Sequence, residues 1–175
     1  EVPASDKTFE AYKGFYSYDK LPLNPGEISR DTSSELWVKE TLSFSAAYGN
    51  ERMMAYLFLP KHGQPPFQVV IYFPGSNALL LRTSNDIEVP RFDFVVKSGR
   101  ALMYPIYKST YERGDGLTDD VPNISILFRD HVLMWAKDVS RSIDYLETRA
   151  DIDIQHLAYL GFSWGGVMGS IVPAV

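Results

Sequence analysis

Apolar and polar positions change rhythm several times along this chain. From residue 37 to 44, Val38, Glu40, Leu42 and Phe44 alternate with Trp37, Lys39, Thr41 and Ser43, the two-residue period of a strand. Gly49-Asn50 then precedes a second run from Met53 to Leu59, closed by Pro60, which predicts an antiparallel hairpin. After Pro65-Pro66, Phe67-Gln68-Val69-Val70-Ile71-Tyr72-Phe73 is almost continuously apolar, the signature of a strand buried on both faces. Ile87, Phe92, Val95 and Val96 have roughly helical spacing, with Pro90 near the helix start and Gly99 as its stop. Residues 101 to 106 form the next strand. The strongest period belongs to Phe128, Val132, Trp135, Val139, Ile143 and Leu146, one stripe of a long helix that Asn123 or Ser125 can cap. Asp151-Ile152-Asp153 is then a polar break before an apolar run at residues 157 to 160. Its two aspartates read as turn residues and no metal is proposed.

Residues 1 to 36 show no period and several breakers, including Pro22 and Pro25-Gly26. They are expected to form an extended arm over the surface, or a lid or linker to an upstream domain. Residues 107 to 123 form a long polar connection containing Tyr111, Glu112 and Arg113. It follows the carboxyl end of a strand, where sites lie in open α/β sheets, and reads either as a substrate rim or as a plain surface loop.

Composition narrows the classes. The 175 residues suffice for one domain with a sizeable core, and 45% apolar with 14% aromatic residues points to a globular fold. A net charge of −5 without a Lys/Arg cluster argues against a nucleic-acid partner. No apolar run approaches the roughly 20 residues of a membrane span, so a soluble chain is expected. Zero cysteines exclude disulfides and thiolate metal sites and leave the compartment open. A chain starting at Glu1 reads as a processed or excised product.

The chemistry concentrates at Leu157-Ala158-Tyr159-Leu160-Gly161-Phe162-Ser163-Trp164-Gly165-Gly166. A β-forming run enters Gly-Phe-Ser-Trp-Gly and is followed by small residues able to open a helix. This is the sequence form of a nucleophile elbow, in which a serine sits at the apex of a strained strand-to-helix turn. Gly161 and Gly165 remove side chains that would collide where strand and helix meet. Ser163 is the candidate nucleophile.

This segment resembles the α/β-hydrolase superfamily, and its Trp-Gly-Gly continuation is similar to the dienelactone hydrolase and prolyl oligopeptidase-like branches. The resemblance spans residues 37 to 175, as the N-terminal portion of a hydrolase domain. It implies a mainly parallel sheet flanked by helices, led by an antiparallel hairpin. It also implies an oxyanion hole made by the backbone N–H of Trp164 and one from the Pro74-Gly75-Ser76-Asn77 loop, with Ser76 the first candidate and Asn77 next. No cofactor is implied.

A serine hydroxyl needs a general base, normally a histidine oriented by a carboxylate. In the resembled superfamily both follow the serine, yet the residues after Ser163 contain neither, and His62, His131 and His156 all precede it. His131, beside the long helix's apolar stripe, reads as structural. The expectation is therefore a serine esterase acting on a small-molecule ester, with its triad acid and histidine on a C-terminal remainder or a second chain. Self-association through the open sheet edge is another outcome. The alternatives are a serine peptidase of the prolyl oligopeptidase type and a non-catalytic hydrolase-like binding or regulatory module.

Overall fold

The computed structural model describes residues 3 to 175, so Glu1 and Val2 of the expected arm lie outside the described residues. A six-stranded mixed sheet forms the centre. Its strands are β1 (Gly26–Asp31), β2 (Trp37–Ser45), β3 (Arg52–Pro60), β4 (Phe67–Phe73), β5 (Ala101–Pro105) and β6 (Ile152–Gly161). Their spatial order is β1-β2-β3-β5-β4-β6. The predicted hairpin is β2 and β3, paired from Trp37 opposite Pro60 to Ser45 opposite Arg52. β4 runs parallel to both β5 and β6, which makes the half of the sheet that ends at β6 a parallel α/β unit.

Alternation along β4 builds two cores. Val69, Ile71 and Phe73 point to one face, where α3 (Ile126–Leu146) lays Phe128, Trp135, Val139 and Leu146 against Leu42, Phe44, Met53, Leu57 and Met103. Val70 and Tyr72 point to the other, against α2 (Asp93–Lys97) through Val95 and Val96, with Phe58, Phe92, Leu102 and Tyr104. A strand buried on both faces has no polar side to show, which is why β4 reads as a continuous apolar run. Ser125 caps α3 by accepting a hydrogen bond from the Phe128 N–H at 3.1 Å.

Three elements differ from the sequence expectation. The arm contains α1 (Asp6–Lys13), started by Ser5, whose hydroxyl accepts from the Thr8 N–H at 3.2 Å. This helix buries no residue, so local capping and not core burial shapes it. The arm also supplies β1, an exposed, polar edge strand held by its antiparallel ladder to β2. Finally, Ile152 and Asp153 belong to β6: they pair with Phe67 and Gln68, and the register then jumps so that Val69 faces Leu157. A bulge absorbs residues 154 to 156, which hides the strand's start from a reading of periodicity.

A buried carboxylate ties the outer strands to the loop before β6. Glu40 on β2 is 1% exposed and meets Arg149 Nη1 at 2.6 Å and Arg30 Nη1 at 2.5 Å. Arg149 also holds Asp151 at 2.7 Å, and these hydrogen bonds, working against partial burial, keep the Asp151 carboxyl below its ordinary pKa. Arg149→Met is expected to cost about 3 kcal/mol, the lower end for breaking a buried pair because Arg30 remains. A carboxyl with a lowered folded pKa stabilises fully above its unfolded value of about 3.9 and loses that contribution as pH falls toward the folded value. Urea unfolding as a function of pH should therefore show the variant's deficit shrinking below about pH 4.

Candidate functional site

The turn from β6 into α4 (Trp164–Met168) is built from close backbone contacts. Ser163 has φ 52° and ψ −110°, a conformation that costs on the order of 1–3 kcal/mol in a residue with a side chain. The Phe162 N–H donates to the Phe73 carbonyl at 3.0 Å, and the Gly165 N–H donates to the Pro74 carbonyl at 3.0 Å, so β4 and its following loop clamp the turn from both sides. A Cβ on Gly161 would lie 2.2 Å from the Gly165 oxygen, and one on Gly165 would lie 2.3 Å from the Phe73 oxygen. Neither contact is compatible with any side chain, so both glycines are steric requirements of the elbow. Ser163 itself is exposed and stands at the carboxyl end of the sheet.

Trp164 anchors the turn from below. It is 2% exposed, with its ring centroid 4.8 Å from Phe73 and 4.6 Å from Trp135 on α3, both edge-on. The Tyr159 hydroxyl donates to the Gly165 carbonyl at 2.6 Å and adds a side-chain brace. Through these contacts the apolar stripe of α3 fixes the position of Ser163.

The loop after β4 lies against the elbow. A Cβ on Gly75 would stand 3.1 Å from Phe162 Cδ1 and 3.5 Å from Ser163 Cβ. Ser76 and Asn77 then open a short 3-10 turn. Neither the Ser76 nor the Trp164 main-chain N–H has a protein acceptor among the described residues, as expected at the first position of a helical turn. Four residues singled out in the sequence, Ser76, Asn77, Ser163 and Trp164, are thus brought to one place by β4 and β6.

The expected rim residues divide. Tyr111 turns inward with φ 50°, 4% exposed, its hydroxyl 2.8 Å from that of Tyr104, and it lines a small cleft with Gly75 and Asn77. Glu112 instead latches the preceding connection, accepting from the Ser84 N–H at 2.8 Å and its hydroxyl at 2.9 Å. Arg113 points under α3, where it donates to Asp138 at 2.7 Å, the Tyr48 hydroxyl at 2.7 Å and the Ile106 carbonyl at 2.8 Å. Its guanidinium is an internal strut, which the one-dimensional cluster Tyr-Glu-Arg does not reveal.

The histidines are separately engaged or distant. His131 faces the Leu127 carbonyl at 2.7 Å through Nδ1 and Asp115 at 3.0 Å through Nε2, so both ring nitrogens are committed. Asp115, which burial alone would push up, is drawn below the ordinary carboxylate pKa by hydrogen bonds from Ser109 and His131. His156 pairs with Asp153 at 2.7 Å near the start of β6, the end away from Ser163. His62 precedes β4, again at the amino end of the parallel strands.

Two groups beside the elbow have no counterpart in the sequence reading. The Arg91 guanidinium carbon lies 4.2 Å from the centroid of the Phe162 ring, and Arg91 is held by Glu88 at 2.5 and 2.9 Å. The Glu88/Arg91 spacing was the only available signal, and surface pairs three residues apart are common.

Neither a protein-family model nor a curated protein sequence matches this chain. Solved structures do. Acetyl xylan esterase 1 from Thermoanaerobacterium sp. JW/SL YS485 superposes with a TM-score of 0.67 at 14% identity, covering 100% of this chain and 57% of its own. A glucuronoyl esterase from Solibacter usitatus gives 0.62 at 17% identity, covering 95% and 54%. A cold-adapted esterase from an Arctic intertidal metagenomic library gives 0.56 at 16%, covering 83% and 60%. The chain therefore spans little more than half the length of these structures.

The steric reading of the elbow separates neighbouring glycines. Gly165→Ala is expected to destabilise by about 3 kcal/mol or more, since backbone must move. Gly166→Ala, whose Cβ would meet nothing closer than 3.8 Å, should be neutral or stabilise the helix slightly. Urea midpoints of the two variants check this directly.

Proposed function

From a chain that has the α/β-hydrolase fold over part of that fold's length, we propose the nucleophile-bearing part of a serine esterase. The observation that carries this reading is Ser163: exposed, held at φ 52° by two obligatory glycines, and beside a loop with free main-chain donors. In the reaction, Ser163 Oγ attacks the ester carbonyl carbon while its proton passes to a histidine base. The carbonyl oxygen, now negative, is held by the N–H groups of Ser76 and Trp164. Collapse expels the alcohol, which takes the proton back, and water then cleaves the acyl-enzyme by the same route. The resembled structures are esterases, which favours an ester over a peptide as acyl donor.

The base comes from outside these residues. His131 has no free ring nitrogen, and His62 and His156 sit at the opposite end of the strands. β6 ends the sheet, and residues 155 to 158 on it are exposed. Beside it, Leu157, Ala158, Tyr159, Val172 and Pro173 line an open groove of about 330 Å³ with Ile143 of α3. A polypeptide completing the sheet there would deliver the acid and the histidine to the carboxyl edge, where Ser163 stands.

Fluorophosphonate labelling and p-nitrophenyl acetate turnover test this. The chain by itself should turn over at a rate about 10⁶ below the form completed by the acid and base. The completed form should label at Ser163, and Ser163→Ala should abolish both signals. Equal turnover in the two forms, or labelling that survives Ser163→Ala, would reject the reading.

A further inference from the structure

His131 is 2% exposed, and the acyl transfer assigned to Ser163 makes no use of it. Its ring stands between two acceptors. Nδ1 lies 2.7 Å from the Leu127 carbonyl of its own helix, and Nε2 lies 3.2 and 3.0 Å from the two carboxyl oxygens of Asp115. A carbonyl oxygen cannot donate, so Nδ1 must carry a hydrogen. The second hydrogen follows from Asp115. Burial would raise its carboxyl, but hydrogen bonds from Ser109 and His131 hold it below its ordinary value, and Lys108 Nζ stands 3.6 Å away. An ionised carboxylate has no hydrogen to give, so Nε2 donates as well. A neutral imidazole has a single N–H and would turn a lone pair toward one of these oxygens, whereas the imidazolium satisfies both.

Asp115 also closes the loop that follows β5. The Ser109 hydroxyl donates to Asp115, and the Ser109 N–H donates to the Arg113 carbonyl at 3.0 Å. Within this loop Ser109 and Tyr111 have φ of 67° and 50°, conformations that persist only where surrounding contacts hold them. Tyr111 is the one that reaches the site, lining a small cleft with Gly75 and Asn77 on either side of Ser76. The charged groups on the loop side of the ring are Asp115, Lys108 and Glu51, the last 2.8 Å from Lys108 Nζ. On α3 itself the sequence neighbours Arg129 and Asp130 pair with each other at 2.6 Å, and the Trp135 ring centroid lies 5.9 Å from that of His131.

We propose that His131 is a positioning residue held with both ring nitrogens protonated: its grip on Asp115 keeps Tyr111 seated beside Gly75 and Asn77, and the grip opens when the ring gives up a proton. The grip is complete on the acid side of the ring's titration and is lost as pH rises through it, because a neutral ring serves only one of its two acceptors. The assignment rests on the reading of Ser163 as the acyl-transfer residue, since the loop that Tyr111 adjoins carries the Ser76 donor.

A pH titration of the intact chain followed by ¹H–¹⁵N NMR tests this without turnover, so its failure is distinct from a failure of Ser163 to label. At about pH 7, where a free imidazole is mostly neutral, long-range correlations of the His131 ring should show both nitrogens protonated. Raising the pH until the ring titrates should move the Tyr111, Ser76 and Asn77 amides with the same midpoint, and His131→Gln should remove that shared titration. Asp115→Asn, which keeps an acceptor oxygen without its charge, should lower the ring's midpoint by about one pH unit or more. A bare ring nitrogen at about pH 7, loop amides indifferent to the ring or titrating equally in His131→Gln, or an unchanged midpoint in Asp115→Asn would overturn the proposal.

Discussion

The structure depends on one close approach, that of the α4 backbone to the ends of β4 and β6. With 2.2 Å and 2.3 Å separating hypothetical Cβ atoms from carbonyl oxygens, the chain can pass only because positions 161 and 165 are glycine. The approach forces Ser163 into a conformation it would not adopt freely, and surrounding contacts hold it there: two main-chain hydrogen bonds to the end of β4, and Trp164 wedged between Phe73 and Trp135. Strain at the Ser163 turn is thus offset by burial of aromatic surface beneath it.

That arrangement links the long helix to the site. α3 meets the sheet through a stripe whose Trp135 touches Trp164, while its polar side anchors the connection after β5. Asp138 on α3 accepts from Arg113, Tyr48 and the Lys108 N–H, and Asp115 faces His131 Nε2. Removing Asp138 from water pushes its pKa up, against the pull of Arg113, so burial offsets part of what the pair's attraction contributes. The network holds Ser109 and Tyr111 at positive φ and so sets Tyr111 into the cleft beside Gly75.

The two sides of the sheet are finished differently. At the β1 edge, polar residues and a ladder to β2 end the sheet in a manner suited to water. At the β6 edge, Leu157 and Ala158 are exposed next to apolar residues of α3 and the last turn. The esterase structures extend well beyond the length this chain covers, which agrees with an edge that is apolar where a terminal edge would be charged.

The sequence alone determined the elements with strong local signatures. The β2–β3 alternation, the unbroken apolar run of β4, the stripe of α3 and the glycines around Ser163 each express a short-range rule, so spacing along the chain was enough to read them. Where capping or ladder pairing replaced burial, as in α1 and β1, or where a bulge interrupted β6, the period disappeared and so did the signal. Only the tertiary structure decided that Arg113 is an internal strut, that both nitrogens of His131 are committed, and that Arg91 lies over Phe162 beside the elbow. Each of those facts is a contact between segments distant in sequence, set by the order in which strands lie side by side. A linear pattern of residue types carries no record of which segments that order will bring together.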